Sequence, residues 1–305
     1  MSTDLQHDAP AAGMGLLGTT AGPGLATVAE GIKPADAAAG ERSWGNVLYP
    51  LLGFAIFVGL WYLMHYWALE HLWGKPDFLV TEPHRVIKES FVDSANRSDL
   101  LKALQWTSIV ALIGLALAIV LGMAIAVLMA QSRAVELMAW PYLVALQAIP
   151  ILAITPVIGN IFGFGLNARV LVCVIIALFP IVSNTLFGLL SADRGQHDLF
   201  TLQGAGRWTR LWKLQMPAAM PAIFAGFRIA AGLSVIGAVV GELFFKQGDK
   251  GIGILMDTYR SRLNNPLMYG CLILAAALGI AVFMIFGWLG NLAVGRWHES
   301  TRKTG

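Results

Sequence analysis

Charge is scarce in this sequence. Of its 305 residues only 13% are Asp, Glu, Lys or Arg, against 57% hydrophobic, and the mean hydropathy is +0.67. A water-soluble globular domain carries about 25% charge, so the composition excludes that class and places the chain in a membrane. The formal net charge of +3 forms no basic stripe, which excludes a nucleic-acid partner. Cysteine is nearly absent. Cys173 and Cys271 lie inside apolar runs, without metal spacing, and read as small buried hydrophobes rather than a disulfide framework. His7, His65, His71, His84, His197 and His298 are scattered and form no ligand cluster, so no metal site is readable. No G-x-x-x-x-G-K-[ST] occurs, so the chain carries no P-loop of its own.

What is present is long apolar runs. Residues 1–43 are rich in Ala, Gly, Thr and Pro without a periodic apolar face, and read as a flexible tail that cannot offset its ordering entropy. Beyond it, residues 43–69, 103–132, 137–168, 170–192 and 263–295 hold no Asp, Glu, Lys or Arg. A helix crossing ~30 Å of hydrocarbon needs about 20 such residues. A further stretch, 219–245, is interrupted only by Arg228 and Glu242. The expectation is an all-α membrane protein with six transmembrane helices at about 47–70, 104–131, 137–162, 168–190, 219–245 and 266–295, followed by a short tail at 299–305. "GNIFG" (159–163) and "GAVVG" (237–241) are small-xxx-small patterns that favour close helix packing.

Cations concentrate in "LQGAGRWTRLWKLQMPAAMP" (202–221), between the fourth and fifth helices. After Gly206, Trp208, Leu211 and Trp212 recur at helical spacing. Arg207, Arg210 and Lys213 lie on the other side, and Pro217 and Pro221 open the next membrane helix. A short amphipathic helix of this kind suits either lipid headgroups or a docking surface for another protein. Orientation does not follow from charge: with the tail on the inner side, the two sides hold ten cations each.

Ionisable groups in a membrane helix usually face a cavity or the bundle interior. Arg228 and Glu242 are separated by about 21 Å of helical rise, so they cannot pair with each other. Arg228 is expected near the inner end and Glu242 near the outer one. They read either as a snorkelling Arg and an interfacial Glu, or as ion pairs that switch partner during gating. Pro150 and Pro156 interrupt the third helix, for packing or to line a cavity. Asn184 and Ser234 are polar candidates for a pathway, or for a bond between helices.

Several stretches together resemble the permeases of ATP-binding-cassette (ABC) importers. Gly204, nine residues, Leu214, one residue, then Met216 and Pro217 is similar to that family's coupling motif, which runs Glu-Ala-Ala, three residues, Gly, nine residues, Ile-x-Leu-Pro. Here Asp198-Leu199-Phe200 replaces the acidic-Ala-Ala triplet. "FLVTEP" (78–83), "IPILAITPV" (149–157), "IFGFG" (161–165), "LFPIVSNTLFG" (178–188), "GFRIAAGLSVIGAVVGELF" (226–244), "KGIG" (250–253) and "RWH" (296–298) occur in the order of the nitrate/sulfonate/taurine subfamily. The resemblance covers residues 45–298.

The resemblance implies a type I ABC importer permease fold in the bacterial cytoplasmic membrane, with both termini and the 191–218 loop cytoplasmic. It implies that the chain is not itself an enzyme and binds no cofactor. ATP and Mg would belong to two ABC ATPase subunits, and a solute-binding protein outside and a second copy of this chain would complete the system. Asp198, Gly204, Ala205, Gly206, Arg207, Trp208, Arg210 and Pro217 would then contact the ATPase. Gln147, Pro150, Pro156, Asn184, Arg228, Ser234 and Glu242 would serve the pathway or its gating. Anion-carrying relatives often have an arginine where Gln147 stands, so a neutral or zwitterionic small polar solute is expected. An ion-coupled secondary transporter is the alternative; it calls for inverted repeats and mid-membrane ionisable residues, and neither is visible.

Overall fold

The computed structural model describes residues 45–74, 76 and 79–294. The expected tails, 1–43 and 299–305, and the "RWH" stretch lie outside the described residues. Lipid offers no partner to backbone polar groups, so a spanning segment must bond internally. Accordingly the described residues form helices and no strand. The chain divides into Met1–Ala55 and Ile56–Gly305. Of the first unit only residues 45–55 are described, the opening turns of helix α1 (Gly45–Leu63), exposed from Leu48 onward.

In the second unit, α1 continues through a π-turn (Met64–Ala68) into α2 (Leu69–Trp73). Side chains of this region and of the last helix hold three successive carbonyls of the next segment. Tyr269 Oη donates to Leu79 O (3.1 Å), His65 Nδ1 to Val80 O (2.5 Å) and Trp61 Nε1 to Thr81 O (3.0 Å). Pro83 opens α3 (Pro83–Ile87), where its missing N–H costs nothing. Asp93 caps α4 (Ser94–Gln131) through the amides of Ala95 and Asn96.

Ser132 caps α5 (Arg133–Ala148), and Pro150 precedes α6 (Ile151–Phe162). The third helix expected over 137–162, with interruptions at Pro150 and Pro156, is two helices, bent by 101° at the first of these prolines. Pro150 imposes this because its ring disfavours helical geometry at Ile149, which is extended (ψ 124°). Pro156, by contrast, sits inside α6 without ending it. Next come α7 (Leu166–Leu190) and α8 (Arg194–Leu202). The chain then enters α9 (Arg207–Arg210), which passes through a π-turn (Leu211–Gln215) into α10 (Met216–Phe244). Last are α11 (Ile252–Ser261) and α12 (Asn265–Val294).

Among the described residues five stretches are long and apolar enough to cross a membrane, and the bent α5–α6 pair makes six spans if counted as one. Two of them, Ser94–Gln131 and Arg207–Phe244, run 38 residues, or ~57 Å, so each projects well beyond a ~30 Å hydrocarbon layer.

The core lies where α4, α7, α10 and α12 meet, around Val110, Leu115, Cys173, Ile181, Val235 and Val282. Glycines let α7 and α10 touch along much of their length. A Cβ on Gly237 would stand 2.8 Å from the Cys173 Cα, and one on Gly241 3.0 Å from the Arg169 Cα. The "GAVVG" pattern is thus a packing seam. "GNIFG" is not: Gly159 accommodates the ring of Phe164, five residues on, and Gly163 turns the chain with φ +79°.

Candidate functional site

The break at Pro150 opens a cavity of about 610 Å³ between α5, α6, α7 and α10. Gln147 and Pro150 reach it from the break, Phe179, Ser183 and Asn184 from α7, and Ile229 and Leu233 from α10. None of its lining side chains is ionisable. Pro180 also lines it. Lacking an N–H, Pro180 removes the bond that the Ile176 carbonyl would otherwise accept, and its own carbonyl accepts from Asn184 Nδ2 (2.8 Å). Three expected pathway residues, Gln147, Pro150 and Asn184, therefore converge.

The remaining four lie elsewhere. Pro156 is exposed on α6. Ser234 is fully buried and donates to Ala231 O of its own helix (2.8 Å). Arg228, next to Ile229, turns its guanidinium onto the Phe283 ring of α12, 4.0 Å from the centroid. Glu242 is fully buried at the far end of α10. There Oε2 accepts from Gly253 N (2.8 Å) and Thr107 Oγ1 (3.0 Å), and Thr107 Oγ1 accepts from Ile252 N (2.8 Å).

Beside it is Arg169, which no sequence motif singled out. Only 2% exposed, it donates to the carbonyls of Phe245 (2.7 Å), Gln247 (2.7 Å) and Asp249 (2.8 Å). The available signal was that Arg169 alone separates two long charge-free runs. Arg169 and Glu242 thereby pin both halves of the 245–253 loop. Farther out, Asp257 binds Lys246 and Arg260. These bonds, the one from Lys246 first, hold its carboxyl below the usual aspartate range.

The connection at the other end is differently made. Asp193 caps α8 through Gly195 N (2.6 Å), and no residue of α8 is buried. Asp198 is exposed, as are the neighbouring Leu199 (53%) and Leu202 (86%). The helix closes with Gly204 N donating to Thr201 O and Ala205 N to Phe200 O. This Schellman closure puts Gly204 at φ +67°, where glycine carries no steric penalty. Gly206 then starts α9 with an ordinary φ of −69°.

The short amphipathic helix expected after Gly206 is instead the leading end of the long helix that reaches Phe244. The π-turn shifts its register. Leu211, Leu214 and Gln215 face inward, while Trp208 (67%) and Trp212 (62%) stay exposed with Arg207. Pro217 consequently lies within a continuous helical run rather than at its start. Arg210 Nε reaches back to Ala205 O (3.2 Å). The free-standing helix of this connection is α8.

Comparison with known proteins gives this bundle, with its bent helix pair, proline-lined cavity and glycine-closed loop helix, a family. The sequence profile of the "binding-protein-dependent transport system inner membrane component" family matches residues 90–298. The chain is 35% identical to a riboflavin transport system permease protein of Chloroflexus aurantiacus, over 85% of this chain and 95% of that one. It is 31% identical to a formylaminopyrimidine transport permease protein of Halalkalibacterium halodurans, over 83% and 96%. A bicarbonate transport system permease protein of Synechococcus elongatus is 26% identical, over 85% and 94%. Among solved structures, an amino acid ABC transporter matches 66% of this chain and 95% of its own with a TM-score of 0.51 at 20% identity, a likeness of fold. The chain belongs to the family of inner-membrane permease components of binding-protein-dependent ABC transport systems.

Proposed function

We propose that two copies of this chain form one import pathway, that a solute-binding protein delivers cargo at the 245–253 end, and that ABC ATPase subunits drive it from the α8 end. In this reading the chain hydrolyses nothing and binds no cofactor; ATP and Mg belong to the partner subunits. The α8 end and both termini are cytoplasmic.

The observation that carries the reading is the exposed α8 helix joined through Gly204 to a 38-residue helix. A partner that grips Asp198, Leu199 and Leu202 moves a lever, and the Schellman turn passes that motion to Arg207–Phe244. The other face of that lever is the α10 wall of the cavity, so displacement at α8 reaches Ile229 and Leu233. Exposed apolar residues on a polar loop helix suit a protein groove, and Arg207, Arg210 and Lys213 complement an acidic rim.

ATPase activity of the complex in lipid tests this. The wild type is expected to hydrolyse ATP faster when one loaded binding protein is added, and Gly204→Asp to lose that response. If the chain purifies without an ATPase and moves solute down an ion gradient regardless of Gly204, the secondary-transporter reading replaces this one.

A further inference from the structure

We infer, resting on the importer reading above, that the cargo of the α5–α7–α10 cavity is an uncharged molecule with an apolar body and one hydrogen-bonding edge, selected by Gln147, Ser183 and Asn184. The class is that of neutral heterocycles bearing adjacent donor and acceptor groups.

Size and charge come first. At about 610 Å³ the cavity is far larger than a small inorganic anion requires and falls in the range of sites for organic ligands. Its lining offers no counter-ion to a carboxylate, sulfonate or ammonium. An ion seated against this lining would meet no opposite charge, and a zwitterion would leave two charges unpaired. The cation nearest in sequence, Arg228, is occupied on the Phe283 ring. Arg133 lines a neighbouring cavity that shares Ser183, and is paired there with Glu136 at 2.7 Å. The N-terminus of α6 contributes only a fraction of a unit charge, enough to favour a carbonyl edge and too little to replace a counter-ion.

The polar groups are few and sit close together. Asn184 spends one of its two amide N–H donors on Pro180 O, which leaves the other N–H to donate and Oδ1 to accept. The Ser183 hydroxyl makes only a long contact of 3.4 Å to the same carbonyl. Among the described residues the Gln147 side chain makes no hydrogen bond, so its amide offers both donors and an acceptor. Ile175, Ile176, Phe179, Ile229 and Leu233 supply the apolar part of the lining. Ser183 joins the selecting residues on position alone, since one serine in an apolar run carries no sequence signal.

The test uses the complete complex in proteoliposomes with its own binding protein. The solute released from the loaded binding protein is identified by mass spectrometry, and uptake is followed for that solute, for riboflavin as an uncharged probe and for ethanesulfonate as an anionic one. The expected result is a solute with no net or separated charge at pH 7. Asn184→Ala and Ser183→Ala are expected to raise its KM about tenfold with little change in kcat, and Gln147→Arg to slow its uptake at least tenfold. A carboxylate, sulfonate or amino acid as the solute overturns the inference, as does faster uptake of ethanesulfonate than of riboflavin by the wild type. Stimulation of ATPase activity by a binding protein loaded with an ion refutes the cargo class alone. Failure of any loaded binding protein to stimulate refutes the importer reading beneath it.

Discussion

The connection before α9 and the connection after α10 are both polar loops at the ends of one long helix, yet they are held in opposite ways. The 245–253 loop is pinned from below: Arg169 takes three of its carbonyls, and Glu242 with Thr107 takes the amides of Gly253 and Ile252. The 191–206 connection is held by local bonds, through the side-chain cap at Asp193, the closure at Gly204 and the bond from Arg210 to Ala205 O, and none of the residues of α8 is buried. A loop tied to buried charges moves with the bundle; a loop tied only to residues beside it in sequence is free to be held by something else. The difference separates a structural lid from a transmitting element, and it is open to experiment.

The largest effect is expected at Arg169. Arg169→Ala leaves three carbonyls without their donor and Glu242 without its nearby cation, and should cost about 3–5 kcal/mol. Loss of monodisperse complex in detergent, or a large fall in melting temperature, would show it. A variant as stable as wild type would mean that the loop is not held from below. Gly251→Ala comes next. Its Cβ would stand 2.0 Å from Glu242 Oε1, so the loop must shift at a cost of about 1–3 kcal/mol, readable in the same assay.

At the α8 end the expected signature is loss of function with little loss of stability. Gly204→Asp strains one turn by about 1 kcal/mol, a shift of about 2–4 °C, while stimulated ATPase activity should disappear. Gly204→Asn, which tolerates positive φ, should keep most of it. Leu199→Ser with Leu202→Ser should leave the melting temperature unchanged and weaken co-purification of the ATPase subunit. If the double variant instead unfolds the permease, α8 packs on the bundle and the contrast between the ends fails.

The smallest effect belongs to Asp257. Its ion pairs lie at the surface, where such contacts contribute about 0–1 kcal/mol. Because the folded carboxyl titrates below its unfolded value, that contribution is present above about pH 4 and is lost as pH falls through the lowered value. The stability gap between wild type and Asp257→Asn should therefore be small at pH 7 and close in stronger acid, as measured by melting at a series of pH values.

The spans, the loop carrying the cations and the family resemblance were legible because each rests on local chemistry. An apolar run of about 20 residues has few stable places other than a bilayer, and a glycine separated by nine residues from a Leu-x-Met-Pro sequence is readable on paper. Gln147, Pro150 and Asn184 stood out as polar or helix-breaking residues in apolar surroundings, and they share a cavity. Other matters needed three dimensions. The amphipathic face assigned to Trp208, Leu211 and Trp212 assumed an unbroken 3.6-residue period, and a single π-turn re-aimed it. Arg169 became a clasp only because the 245–253 loop, nearly eighty residues later, folds over it.

By itself, then, the sequence determined that this chain is a membrane bundle of about six spans, where it bends at proline, and where it exposes a basic loop, since hydropathy and backbone sterics act within a few residues. Only the tertiary structure decided which polar groups face a cavity, which face one another and which meet nothing. Those outcomes depend on how α7 seats against α10 at close range, and on carbonyls and side chains distant in sequence arriving at the same few ångströms.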